Sequence, residues 1–173
     1  MSHIPPIDTR MSQGDQNFIK YVIPLIQDHF PGTWISTNGA PCDYVHGVDF
    51  IHVNGHQVQT ISARVWKSMC HSNFTSRWYR TSDPSRKLEY TSKMEAHQAG
   101  TYMTDWTIEA FISRSGVSVC AVPTKVLYQY LERIGDLALV FIVQNRNDSV
   151  YFKKVPWLEV HDDTIKWFTT WGP

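Results

Sequence analysis

The sequence has few cysteines, and this limits the kinds of protein it can encode. Three occur among 173 residues, Cys42, Cys70 and Cys120, and their spacing is neither paired nor metal-like. An odd and sparse set of this kind argues against a disulfide framework and suits reduced thiols. We therefore expect a cytoplasmic location.

Long apolar runs and common catalytic motifs are missing as well. No stretch approaches the ~20 apolar residues that a membrane-spanning helix needs, so we expect no membrane partner. The first residues, MSHIPPIDTRMSQGD, lack a basic segment followed by an apolar run, so we expect no secretory signal. Walker, Rossmann, zincin and nucleophile-elbow patterns do not occur, and the enzyme classes that use them are not indicated.

An excess of charge of one sign is the third absence. Lys and Arg number 16, Asp and Glu number 16, and the formal net charge is zero. Because duplex-DNA binders usually carry a basic excess, nucleic-acid binding would here need a local patch. One stretch has six cations and only Asp83 and Glu89 as acids, although this composition also fits a solvated polar face. Its cations are Lys67, Arg77, Arg80, Arg86, Lys87 and Lys93.

The composition is that of a folded domain with a sizeable core. Apolar residues make up 42% of the chain and charged residues 18%, which is ordinary for a globular protein. We predict a flexible arm over residues 1–12 and a single domain over residues 13–173. Aromatic residues are abundant near the end of the chain. If exposed, Trp167, Phe168 and Trp171 would favour a homodimer or another protein partner.

The patterning predicts an α+β fold, with a central mixed sheet and flanking helices. Phe18 to Phe30 show a helical apolar face that contains Pro24, where we expect a kink or an early break. Two β-prone runs joined at Asn54-Gly55 predict a hairpin. Helical patterns recur from Lys87 to Gln98 and from Val126 to Ile134, and β-prone runs lie between and after them.

The predicted hairpin carries the residues that could perform chemistry. Asp49 lies in its first strand, and Thr60, Ser62 and Arg64 share one face of its second strand. An acid that faces polar residues at i and i+2 across a hairpin is the layout of a Mg²⁺-dependent phosphodiesterase site. In such a site carboxylates hold the ion and a cation stabilises phosphate charge.

The same segment resembles a known superfamily. GVDFIHVNGHQVQTISARVW, preceded by an amphipathic helix, resembles the core of the PD-(D/E)XK (restriction-endonuclease-like) nucleases. Asp49 matches the Asp of their first half-motif, and Ser62-Ala63-Arg64 falls where Glu-x-Lys should be. The run FTSRWYRTSDPSRKLEYTSKMEAHQAGTYMTDW resembles phage and mobile-element proteins of nuclease-like type. The resemblance implies a restriction-endonuclease-like core and metal-dependent cleavage of phosphodiester bonds.

Two positions depart from the family pattern. Ser62 replaces the second carboxylate, and a hydroxyl is a poor ligand for a hard dication. Arg64 replaces Lys and can stabilise charge but cannot act as a base. The missing carboxylate could come from Glu89, Asp43 or Asp15.

The favoured hypothesis is therefore a metal-dependent nuclease of phage or mobile-element type. Asp49 and Glu89 would bind Mg²⁺ or Mn²⁺, with Ser62 and Arg64 assisting catalysis. The partner would be nucleic acid, DNA rather than RNA. The alternative is a catalytically inactive relative that binds nucleic acid or a host protein, which the serine at position 62 and the zero net charge favour. The backbone of the nucleic acid would be held by Arg77, Arg80, Arg86, Lys87 and Lys93.

Other reactive side chains in this region have simpler interpretations. His46, His52 and His56 crowd the hairpin, but strand alternation puts His46 and His52 on the face opposite Asp49. We expect exposed histidines there rather than a metal cluster. The adjacent Cys70 and His71 would point apart in an extended chain, so they are not predicted to form a nucleophilic pair.

Overall fold

The computed structural model divides the chain into two compact units. The first unit comprises residues 1–71, 103–122 and 165–173, and the second comprises residues 72–102 and 123–164. The arm expected over residues 1–12 lies outside the described part of the chain, and the expectation of one domain over residues 13–173 stays a prediction. The residues described are 13–40, 47–67, 72–101, 104–135, 139–145, 148–160 and 164–169.

Strands outnumber helices in the described residues. The helices are α1 (Gln13–Asn17), a π-helical turn (Phe18–Val22), α2 (Ile23–Ile26), α3 (Glu89–Gln98), α4 (Thr124–Ile134) and a short 3₁₀ turn (Trp157–Glu159). The strands are β1 (Thr33–Ser36), β2 (Phe50–Asn54), β3 (Gln57–Lys67), β4 (Asn73–Arg80), β5 (Trp106–Ser113), β6 (Gly116–Pro123), β7 (Leu139–Asn145), β8 (Asp148–Pro156) and β9 (Lys166–Thr169).

The first helical segment changes its hydrogen-bond register just before Pro24. Proline has no N–H to donate to the preceding turn, and its ring crowds the carbonyl four residues back. The Ile23 N–H bonds to the Phe18 carbonyl, five residues back, which is π-helical geometry. The α-helical hydrogen-bond pattern is therefore interrupted before Pro24, and α2 continues through Pro24 to Ile26. The kink expected there stays a prediction.

The first unit has a mixed sheet of six strands, in the order β1-β2-β3-β5-β6-β9. β1, β2 and β3 form an antiparallel meander, whereas β5 runs parallel to β3. The expected β2–β3 hairpin is confirmed, with Asn54 opposite Gln57. Gly55 lies in its turn at a positive φ of 58°, a conformation that glycine adopts without strain.

The core of this unit lies between the helical segment and one face of the sheet. Phe18 stacks on Phe50 with ring centroids 4.7 Å apart, and Ile61 of β3 is buried in the same cluster. Each such side chain contributes about 1.5–3 kcal/mol when it is fully buried. Since Ile61 and Ala63 face this cluster, strand alternation turns Ser62 and Arg64 to the other face of the sheet.

The second unit contains a three-stranded antiparallel sheet in the order β4-β8-β7, with α3 and α4. Tyr128 of α4 is buried, and its hydroxyl lies 3.1 Å from the Ser76 hydroxyl of β4. Phe74 of β4 packs near Trp157, with ring centroids 6.0 Å apart. A β-bulge interrupts the pairing of β4 with β8 between Arg77 and Tyr79.

The fold class is thus α+β with a mixed multistranded sheet, as expected. The restriction-endonuclease-like core stays a prediction. No helix in the described ranges is both long and apolar enough to cross a membrane.

Candidate functional site

Asp49 is fixed at the start of β2 by both its backbone and its side chain. Its N–H donates to the Ile61 carbonyl at 2.8 Å, and its carbonyl accepts from the Thr37 N–H at 3.0 Å. Its carboxylate Oδ2 accepts a hydrogen bond from the Ala63 backbone N–H at 2.6 Å. The structure therefore brings Asp49 against the Ser62-Ala63-Arg64 segment, as the sequence predicted from the hairpin.

Ser62 and Arg64 lie on β3 in register with β5. Ser62 pairs with Thr107, and Arg64 pairs with Glu109, across the parallel β3–β5 ladder. Side chains at paired positions share a face of the sheet. The face opposite the helical core therefore carries two polar pairs, next to the strand end that holds Asp49.

Glu109 is the carboxylate that the sequence analysis did not select. It is only 1% exposed, and its Oε2 accepts a hydrogen bond from the Trp66 indole Nε1 at 2.9 Å. Burial raises the pKa of the Cys120 thiol on β6, and the Glu109 carboxylate raises it further. An acid within the otherwise apolar run IEAFI is unusual, and this feature could have drawn attention to it.

Glu89, the other predicted metal ligand, belongs to the second unit and is paired with cations. It is the first residue of α3, and its carboxylate lies 3.0 Å from Lys93 Nζ and 3.5 Å from Arg77 Nε. The Glu89 and Lys93 side chains are largely buried. The negative charge of Glu89 is thus balanced within its own unit.

The predicted phosphate-binding residues all lie in the second unit, in different environments. Arg77 is exposed, Arg80 is half-buried, and Arg86 is exposed in the turn before α3. Lys87 is exposed and pairs with Glu95 at 2.7 Å, whereas Lys93 is buried. Their role in binding nucleic acid stays a prediction.

The histidines of the hairpin do not form a cluster in the described residues. His52 was expected to be exposed, but this was wrong: it is 2% exposed and packs against the rings of Phe30 and Trp34. Its Nδ1 lies 3.3 Å from the Gln59 Oε1. His56 is exposed in the turn.

Some of the other candidates fall outside the described ranges. They are His46, Asp43, Cys70 and His71, whereas Asp15 is half-buried in α1. Across the described ranges, no group of three or more His, Cys, Asp or Glu side chains is arranged to hold a metal ion.

Comparison with known proteins adds no family assignment. No protein-family model matches the chain, and no curated protein and no solved structure matches it. Membership of the PD-(D/E)XK superfamily therefore stays a prediction. Any functional conclusion depends on the geometry of the chain itself.

Proposed function

We propose that this protein is a metal-dependent nuclease that hydrolyses phosphodiester bonds, of the phage or mobile-element type. The observation that carries the proposal is the hydrogen bond from the Ala63 N–H to the Asp49 carboxylate at 2.6 Å. It keeps an acid beside Ser62 and Arg64, the positions that the resemblance to PD-(D/E)XK nucleases singles out.

Asp49 and Glu109 are the carboxylates that we assign to the metal. Mg²⁺ is usually held by only one or two carboxylates and completes its coordination with water and substrate phosphate. Two carboxylates on this side of the sheet therefore fit Mg²⁺ or Mn²⁺ without a third protein ligand. We prefer Glu109 to Glu89 because Glu109 lies in the same sheet as Ser62 and Arg64, in register with Arg64, whereas Glu89 belongs to the second unit.

The chain's own side chains then have separate roles. Arg64, which is always protonated, stabilises the negative charge that develops on the phosphate. Ser62 orients the attacking water through its hydroxyl. When bound, the metal supplies Lewis-acid charge to the phosphate oxygens. Water adds across one P–O bond: its oxygen bonds to phosphorus, and the bridging oxygen leaves with a proton.

The second candidate is a nucleic-acid-binding protein without catalytic activity. Ser62 supports it, because the resemblance calls for a carboxylate at that position and a hydroxyl binds a hard dication poorly. In this case the β2–β3 hairpin would have the same structure but would bind no metal ion.

The test compares the wild type with Asp49→Asn and Glu109→Gln, in thermal melts with and without Mn²⁺ and in cleavage assays on DNA and RNA. We expect Mn²⁺ to raise the Tm of the wild type, since a ligand that binds only the folded state stabilises it. Both variants should lose this shift. Cleavage should fall by about 100-fold or more, because several kcal/mol of charge stabilisation are lost.

Glu89→Gln is the control that separates the two possible second ligands. If it abolishes the Mn²⁺ shift and Glu109→Gln does not, our assignment of Glu109 is wrong and Glu89 is the ligand. Melts without metal report whether each variant folds. Full cleavage by a folded Asp49→Asn variant would overturn the nuclease proposal, and a wild type without cleavage or metal response would support the second candidate.

A further inference from the structure

The bulge in β4 exposes two neighbouring aromatic side chains. Arg77 pairs with Phe152 and Tyr79 pairs with Tyr151, so Trp78 is the extra residue of the bulge. Trp78 is 39% exposed and Tyr79 is 37% exposed. Large aromatic residues are costly to leave in water, and bulges often re-aim a side chain next to a functional site.

The Tyr79 ring is supported by a second ring on the neighbouring strand. Tyr151 of β8 lies 5.4 Å from Tyr79 between ring centroids, at an interplanar angle of 68°. Such an edge-to-face pair fixes the orientation of both rings. The bulged end of β4 therefore presents oriented aromatic rings to solvent.

Cations predominate in the paired strands at this end. Residues 73–80 and 148–156 include Arg77, Arg80, Lys153 and Lys154, and Asp148, the first residue of β8, is their one acid. Glu89 of α3 pairs with Arg77. The two strands thus carry a net positive charge, although the whole chain has none.

Lys153 supplies a buried cation directly against the exposed tryptophan. It is only 5% exposed, and its Nζ lies 4.2 Å from the centroid of the Trp78 ring and 5.7 Å from that of Tyr90. Among the described side chains, these two rings are its partners, and no carboxylate pairs with it. Aromatic rings offset only part of the free energy that it costs to bury an ammonium group. An anion beside Trp78 would offset the rest.

We propose that the bulged end of β4 binds single-stranded nucleic acid. Bases stack on Trp78 and Tyr79, while Arg77 and Lys153 attract the adjacent phosphates. Exposed rings beside basic side chains are how proteins bind single strands, whose unpaired bases offer a free π-face. In a duplex those faces are already stacked, so the rings distinguish single strands from duplex. This inference rests on the proposed function and names the class of its substrate, single-stranded nucleic acid.

The test measures fluorescence anisotropy of labelled oligothymidylate, oligouridylate and a hairpin duplex, each of about 16 nucleotides, the upper end of known site sizes. EDTA is present, so that binding is measured without cleavage. We expect the wild type to bind a single strand more tightly than the duplex. Trp78→Ala should weaken single-strand binding by about 5- to 100-fold, the effect of one stacked base. The two single strands show whether DNA or RNA is preferred.

Trp167→Ala is the matched control, because Trp167 is 44% exposed but lies on β9 of the first unit. It should bind as the wild type does. If Trp78→Ala fails to fold, as judged by its melt, Tyr79→Ala decides the question with the same expected weakening. A folded Trp78→Ala or Tyr79→Ala variant that binds like the wild type would overturn the proposal, as would equal binding of single strand and duplex.

Asp49→Asn separates this inference from the proposed cleavage. Under EDTA, Trp78→Ala should weaken single-strand binding in the Asp49→Asn background by the same factor as in the wild type, because Asp49 is not part of the bulge. An inactive enzyme that binds single strands would refute only the nuclease proposal. A nuclease whose Trp78→Ala variant binds normally would refute only the surface proposed here.

Discussion

The two units hold their carboxylates with different kinds of partner. In the first unit, Asp49 accepts from the Ala63 backbone N–H and Glu109 accepts from the Trp66 indole, both of which are neutral donors. In the second unit, Glu89 is paired with the cations of Lys93 and Arg77. A neutral donor orients a carboxylate without balancing its charge, whereas a cation does both; in the first unit the strand register also sets Arg64 beside Glu109.

The two proposals rest on this difference. Carboxylates that neutral donors orient are suited as ligands for a dication, and this is the role proposed for Asp49 and Glu109. Arg64 pairs with Glu109 in the β3–β5 ladder and adds a cation to the same face of the sheet. Around Glu89 the cations outnumber the carboxylate, and Lys153 nearby in the sheet adds to them. We therefore propose metal-dependent catalysis for the first unit and phosphate binding for the second.

The largest effect on stability is expected from Glu89→Gln. The substitution leaves the buried ammonium of Lys93 without its carboxylate, which should cost about 3 kcal/mol. Glu95→Gln on the same helix is the control, since Glu95 and its partner Lys87 are both more than half exposed. That pair should contribute less than about 1 kcal/mol. Urea unfolding of both variants measures the difference, and equal losses would mean that Glu89 is not a buried charge partner.

A smaller loss is expected in the first unit from Trp66→Phe. Phenylalanine keeps most of the apolar volume but removes the Nε1 donor of the Glu109 carboxylate. The loss of one donor to a buried acceptor should cost about 1–3 kcal/mol. Trp167→Phe provides the control at an exposed tryptophan and should change stability by less than about 0.5 kcal/mol. If the two variants are equally stable, the indole does not hold Glu109.

Local patterns in the sequence were enough to predict most elements of both units. The hairpin at Asn54-Gly55, the interruption before Pro24 and the helices near residues 87–98 and 126–134 all depend on neighbouring residues. Their hydrogen bonds close over a few positions, so propensity and periodicity suffice. The same holds for Asp49 and the Ser62 segment, which a tight turn joins.

The partners of Glu109 and Glu89 could not be predicted in this way. Glu109 and Arg64 are 45 residues apart in sequence, and the parallel pairing of β3 with β5 brings them into register. Such a register is set by the packing of the sheet and not by local sequence. Likewise, the burial of Lys93 and His52 depends on elements that pack against them, and a polar residue gives no local sign of burial.

The smallest expected effect is on the pH dependence of the first unit's stability, to which the Cys120 thiol contributes. Burial, and then the charge of Glu109, raise the pKa of the Cys120 thiol above its ordinary value of 9.0. Because the folded-state pKa is raised, the neutral thiol's contribution to stability is complete below pH 9.0 and is lost as the pH rises above it. In this range the free energy of unfolding should fall by about 1.4 kcal/mol per pH unit for this group.

Cys120→Ala isolates that contribution, because the lysines and tyrosines that also titrate in alkali are unchanged. Urea unfolding at several values between about pH 8 and pH 10.5 should show a steeper decline for the wild type than for the variant. Parallel curves for the two proteins would mean that the Cys120 thiolate is tolerated in the fold.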